Sequence, residues 1–161
     1  MNTSAQSFDE ECVRLIKTIA ANVDKDSRTF DKEIETVENR INHLNNKTLT
    51  PEVATQKAIL HCVAAWAYHE LPDRYSDVRN DDVDYMAKRD EHLREALKDK
   101  RFLASQQASK YKAMVKLGKD GAMFNHCMLA VIADYYFDNS FCSQDEKFSI
   151  YEDMISVYKS L

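Results

Sequence analysis

The sequence contains very little glycine and proline. There are 2 of each among 161 residues, whereas average usage gives roughly 11 glycines and 8 prolines for this length. Tight turns draw heavily on both residues, so a sheet of many short strands is difficult to build from this chain. The scarcity therefore favours a small number of long segments, which indicates an all-α fold.

The sequence also lacks a long apolar run. The longest extends from Cys127 to Ala133, far short of the ~18 apolar residues that a membrane span needs. Residues 1–7 are polar and show neither the basic region nor the apolar region of a signal peptide. We therefore predict a soluble cytoplasmic protein that does not enter a membrane.

Motifs for metals, cofactors and nucleophilic catalysis are missing as well. None of the five histidines belongs to an HExxH or ExxH motif, and two glycines cannot form a phosphate-binding loop. The cysteines form no CxxC pair, and three of them lie in apolar runs where a free thiol behaves as a small hydrophobe. We predict no cofactor and no metal, and four reduced thiols: Cys12, Cys62, Cys127 and Cys142.

Charge argues mildly against a general nucleic-acid binder. Acidic residues number 27 against 22 basic ones, for a net charge of −5, whereas nucleic-acid binders usually present a basic surface. One stretch is locally positive, however, and it leaves open a nucleic-acid-associated subunit. Its basic residues are Lys98, Lys100, Arg101, Lys110, Lys112, Lys116 and Lys119.

Apolar residues recur at helical spacing along most of the chain. The second helix carries them in steps of three and four at Phe30, Ile34, Val37, Ile41 and Leu44. The third helix is predicted from Pro51 to Leu71, with Pro72 ending it. Because this third helix is apolar on most of its circumference, we expect it at the centre of the domain, with Trp66 largely buried.

Capping signals place further helix ends. Two capping boxes, Ser7–Glu10 and Ser143–Glu146, predict the starts of the first and last helices, so that residues 1–6 become a flexible tail. The last helix is predicted to carry its large apolar side chains inward: Phe148, Tyr151, Ile155, Tyr158 and Leu161. Residues 83–117 form one long helix or two helices broken near Asp99, with Gly118 closing the region, and a further helix is expected over residues 122–137. The prediction is one domain, residues 1–161, folded as an all-α bundle of six or seven helices.

The candidates for catalysis are the histidines and the aspartate-rich stretch from Asp73 to Asp84, which is predicted to be a loop. Asp90, Glu91, His92 and Glu95 lie within about one turn of helix, and we interpret them as a solvated charged face. His61 is expected on the more polar side of the third helix. An enzyme whose site is assembled from such residues remains the main alternative to a binding protein.

Aromatic residues cluster near the C-terminus and suggest a contact surface. Tyr135, Tyr136, Phe137 and Phe141 lie at a predicted helix end, which cannot bury aromatic rings on every side. Tyrosine is also enriched at protein interfaces.

The favoured function follows from this surface and from the lack of catalytic motifs. We predict a non-catalytic protein-binding module, such as an inhibitor, an immunity-type protein, a chaperone or an adaptor. Its partner is another protein, and homo-oligomerisation stays open. The predicted contact residues are Tyr136 and Phe141, with Lys110 and Lys112 as charges at the rim.

Overall fold

The computed structural model describes residues 4–23, 30–74, 82–111, 114 and 126–161. Over these ranges the chain forms seven α-helices and one 3-10 turn, with no β-strand, so the predicted fold class is confirmed. The helices are α1 (Ser4–Val23), α2 (Phe30–Asn45), α3 (Pro51–Arg74), α4 (Tyr85–Ala96), α5 (Lys100–Ala104), α6 (Met128–Asn139) and α7 (Gln144–Lys159), and the 3-10 turn is Ala108–Tyr111.

Helix α3 occupies the centre of the bundle, as predicted. It packs against α1, α2, α4, α5 and α6, which explains why its sequence is apolar on most sides. Small side chains at several α3 positions let the neighbouring backbones approach closely. These are Ala54, Ala58, Ala64, Ala65 and Ala67, all of them buried. None of the described helices combines the length and the apolar character that crossing a bilayer requires.

Helix α2 packs on α3 through the seam that its spacing predicts. Ile34, Val37, Ile41 and Leu44 are all buried, while the intervening side chains on the opposite side are mostly exposed. Arg40 of α2 also pairs with Glu11 of α1, with nitrogen–oxygen distances of 3.1 and 3.3 Å. The two N-terminal helices are thereby joined to each other as well as to α3.

Several helix ends differ from those predicted. Helix α1 already includes Ser4, so the capping box at Ser7 lies inside the helix and the predicted tail is too long. Helix α3 continues to Arg74, because a proline in the last turn removes one backbone donor without preventing two more helical residues. Helix α6 ends at Asn139, two residues later than predicted, and residues 122–125 lie outside the described ranges.

The region from residue 83 to 117 is broken rather than continuous. The first break lies between Ala96 and Lys100, as one of the two predicted alternatives has it. A second break follows Ala104, where the backbone turns to pair with the start of α6: Met128 N–H donates to the Gln106 carbonyl at 2.8 Å, and Ala108 N–H donates to the His126 carbonyl at 2.9 Å. Gly118, predicted to close this region, lies outside the described residues.

Candidate functional site

Helix α7 begins where its sequence predicts. The Ser143 hydroxyl accepts a hydrogen bond from the Glu146 backbone N–H at 3.2 Å, which satisfies one of the donors left free at a helix start. Asp145 and Glu146 lie in the first turn and Lys159 in the last, so each charge opposes the helix dipole favourably. The local sequence therefore suffices to form this helix.

Specific contacts hold α7 at the edge of the bundle, against α5 and α6. The ring of Phe137 stacks on that of Tyr151 with centroids 4.9 Å apart. The Tyr136 hydroxyl donates to the Glu146 carboxylate at 2.7 Å, and Lys100 of α5 pairs with Asp153 at 3.2 Å. These contacts fix which side of α7 faces the protein.

The predicted inward position of Phe148 and Ile155 is wrong, because both large apolar side chains are exposed on the flank of α7 beside Tyr151. Phe148 is 62% exposed and Ile155 is 38% exposed, and their seven-residue spacing places them on one face, two turns apart. Phe141, in the connection before α7, is 97% exposed. Tyr158 and Leu161 extend the apolar surface to the end of the chain. Met154 is fully buried, and Ile150, Tyr151 and Val157 pack against the core, whereas Phe148 and Ile155 stay exposed.

Charged residues alternate with the apolar ones on this side. Charged and apolar positions succeed one another in steps of three and four, in the order Asp145, Phe148, Glu152, Ile155 and Lys159. All three charged residues are exposed, and within the described ranges neither Asp145 nor Glu152 forms an ion pair. We call this surface the α7 face: Phe141, Asp145, Phe148, Glu152, Ile155, Tyr158, Lys159 and Leu161.

The two aromatic residues of the predicted contact, Tyr136 and Phe141, differ in their exposure to solvent. Tyr136 is 5% exposed and its hydroxyl is bound to Glu146, so it belongs to the core and cannot be the centre of a partner contact. Phe141 does project into solvent. The sequence-based prediction is corrected for Tyr136, because the α7 helix covers the end of α6 that was expected to be open.

The predicted rim of lysines is not next to Phe141. Lys110 is exposed, but its 3-10 turn joins the chain at the start of α6, whereas Phe141 follows the end of that helix. Twelve helical residues separate these ends by roughly 18 Å. Lys112 lies outside the described residues.

The basic stretch around these lysines is partly neutralised. Lys98 lies 3.9 Å from Glu95, and Lys100 lies 3.2 Å from Asp153. In the described part of the stretch, these two ammonium groups therefore face carboxylates of the same chain. Lys116 and Lys119 lie outside the described residues.

A buried polar cluster joins α2, α3 and α4. Nδ1 of His61 lies 2.9 Å from Nδ1 of His92, and Nε2 of His92 lies 3.2 Å from the Glu38 carboxylate. The Tyr68 hydroxyl donates to the same Glu38 oxygen at 2.8 Å. The prediction of a solvated face is wrong for His92, whose side chain is 13% exposed. Its spacing from Arg89 and Ala96, both buried, is the sequence signal that places it on the inner side of α4.

The hydrogen bonds limit the number of protons in this cluster. Glu38 accepts from the Tyr68 hydroxyl and from Nε2–H of His92, and one proton lies between the two Nδ1 atoms. Burial, followed by the charges of His92, Lys57 and Lys98, lowers the pKa of His61 from 6.5 to about 3. His61 is therefore neutral at physiological pH, and the cluster stabilises the packing of three helices.

The cysteines are free thiols placed in different parts of the bundle. Burial raises the pKa of both Cys12 and Cys62 to about 12, so both remain protonated and poorly nucleophilic at neutral pH. Among the described residues no three histidine, cysteine, aspartate or glutamate side chains are grouped as a metal site.

No family model, curated protein sequence or solved structure matches this chain. The observations that indicate its function are therefore those of its own surface and interior. The α7 face is the largest exposed group of apolar side chains at one place in the described structure.

Proposed function

We propose that this chain is a protein-binding module that docks an amphipathic helix of another protein on the α7 face. The observation that carries the proposal is the exposure of Phe148 and Phe141, at 62% and 97%. Clustered apolar side chains on the surface of a soluble domain commonly mark a protein interaction site. Helix-in-groove and helix-on-helix recognition reads apolar anchors at this spacing.

The negative charge of Glu152 favours a partner helix that carries a positive charge at the facing position. Glu152 lies between the two apolar anchors, Phe148 and Ile155. In an antiparallel pairing of two copies of α7 about a two-fold axis near residue 152, each Glu152 faces the other, which is unfavourable. A partner helix with two apolar residues seven apart and a lysine or arginine between them fits the α7 face better.

Cross-linking from the α7 face can identify the partner. A photoreactive phenylalanine analogue replaces Phe148, the cross-linked protein is identified by mass spectrometry, and that partner is then purified. Its affinity is measured by calorimetry for the wild type, Phe148→Ala and Glu152→Lys. Because anchors in an interface core commonly contribute ~2 kcal/mol or more, we expect Phe148→Ala to weaken binding about 30-fold or more.

Met86→Ala provides the matched control. Met86 is 49% exposed on α4, so the variant removes an exposed apolar side chain outside the α7 face and should leave affinity unchanged. Glu152→Lys should weaken binding, and less so at high salt. Unchanged affinity in both Phe148→Ala and Glu152→Lys would contradict the proposal. Cross-linking of one copy of this chain to another would instead support a homo-oligomer.

A further inference from the structure

A cavity of about 240 Å³ lies between α1, α3 and α6. His61 and Tyr68 of the buried polar cluster lie on the other side of α3. The wall of the cavity includes Ile16 of α1, Val63 and Trp66 of α3, and Ile132 and Tyr135 of α6. Trp66, predicted to be largely buried, packs against the core with part of its surface exposed, and it lines this cavity. Among the described residues, no lysine, arginine, aspartate or glutamate lines it.

Two of the lining residues carry a polar group, the indole N–H of Trp66 and the hydroxyl of Tyr135. Neither group forms a hydrogen bond with another described residue. Burial raises the pKa of Tyr135, so its hydroxyl stays protonated and can donate. Apolar walls with a few convergent polar groups are the usual composition of a small-molecule site.

We propose that this cavity binds an uncharged aromatic molecule of about two rings that carries one hydrogen-bond acceptor, such as a carbonyl oxygen. The site is independent of the α7 face, which contributes no residue to the cavity.

Size and lining chemistry define this ligand class. A dry apolar cavity of about 150 Å³ accommodates benzene, so about 240 Å³ admits a second ring. Met114 and Met128 add polarizable sulfur to the wall, and thioethers contact aromatic rings favourably. None of the described lining residues is charged, which disfavours an anionic or cationic ligand because its desolvation would not be compensated.

The probe is 1-indanone, with indane as the analogue that lacks the carbonyl. Binding to the full chain is measured by calorimetry, and the site is located by fluorescence, since Trp66 is the single tryptophan of the protein. We expect saturable one-to-one binding of 1-indanone together with quenching of the Trp66 emission over the same concentrations. Binding without quenching, or no saturable binding, would overturn the proposal.

Two variants with a matched control test the arrangement. Tyr135→Phe removes the donor and should weaken 1-indanone binding about 2- to 12-fold, as expected for one net hydrogen bond, while leaving indane binding unchanged. Tyr136→Phe removes the neighbouring hydroxyl, which is bound to Glu146 outside the cavity, and should change neither affinity. Equal effects of the two variants on 1-indanone would overturn the assignment of Tyr135.

Ile132→Phe fills the cavity and should abolish binding of both probes, with circular dichroism confirming a folded chain. If Ile132→Phe does not fold, Val63→Ile serves as a smaller filling change and should weaken both probes. Retention of full affinity in a folded filling variant would place the ligand elsewhere. Decanoate tests the aliphatic alternative, and tighter binding of decanoate than of 1-indanone would refute the aromatic class.

Discussion

Single polar side chains decide how the interior of this domain is held together. His61 and His92 are 31 residues apart in the chain but meet through their Nδ1 atoms, and Glu38 binds the far side of His92. Only one proton fits between two imidazole nitrogens 2.9 Å apart. The pair therefore holds at most one positive charge, and protonation of both rings would break the contact between them.

The stability of the domain should fall as this pair is acidified. Because the pKa of His61 is lowered from 6.5 to about 3 in the folded chain, the unfolded chain binds more protons between these values. The stabilisation is fully present above pH 6.5 and is lost toward pH 3, by up to ~1.4 kcal/mol per pH unit. Urea unfolding of the wild type at several pH values between 7.5 and 4.5 measures this loss.

His61→Asn isolates the contribution of His61 to that loss. Asparagine retains a donor near the Nδ1 position but does not titrate, so the variant should lose less stability over the same pH range than the wild type does. His43→Asn replaces an exposed histidine and should behave as the wild type does. Parallel pH profiles for the wild type and His61→Asn would show that His61 is not the group responsible.

The sequence predicted which segments form helices, but it predicted their ends and their buried faces less accurately. The seam of α2 and the cap of α7 are local patterns, and the structure confirms both. The break after α5 depends on backbone hydrogen bonds between residues 106–108 and 126–128, which lie about twenty residues apart. No local pattern indicates such a bond, so this second break was not predictable.

The end of α6 offers a direct test of which aromatic residues are core. Tyr136→Ala removes a buried ring and leaves Glu146 without its hydroxyl donor, and it should cost about 3–5 kcal/mol of unfolding free energy. Phe141→Ala removes a ring that is 97% exposed and should change stability by less than ~0.5 kcal/mol. Chemical denaturation of both variants distinguishes them, and similar costs would mean that α7 does not cover Tyr136.

At the scale of the whole molecule, stability depends on the packing of five helices around α3. Leu60 is 1% exposed near the middle of this helix, where a cavity cannot collapse easily. Histidine, tyrosine and glutamate side chains complete the packing on the side of α2 and α4. The domain is consequently more sensitive to changes in α3 than to changes at its edge helix, α7.

Leu60→Ala should therefore cost about 2–5 kcal/mol. The control is Leu49→Ala, in which the same side chain is truncated at a position that is 43% exposed, and the cost there should stay below ~0.5 kcal/mol. Urea unfolding followed by circular dichroism measures both. A small cost for Leu60→Ala would be inconsistent with α3 lying at the centre.

The sequence by itself determined the helical class, the central position of α3 and the seam of α2. The scarcity of glycine and proline and the spacing of apolar residues act within single segments, and those segments form the same helices wherever they pack. Only the tertiary structure decided that Tyr136 is covered while Phe148 is exposed, that His92 turns inward to His61, and that Trp66 borders a cavity. Each of these depends on which side of one helix another helix covers, and that is set by contacts between residues distant in the chain.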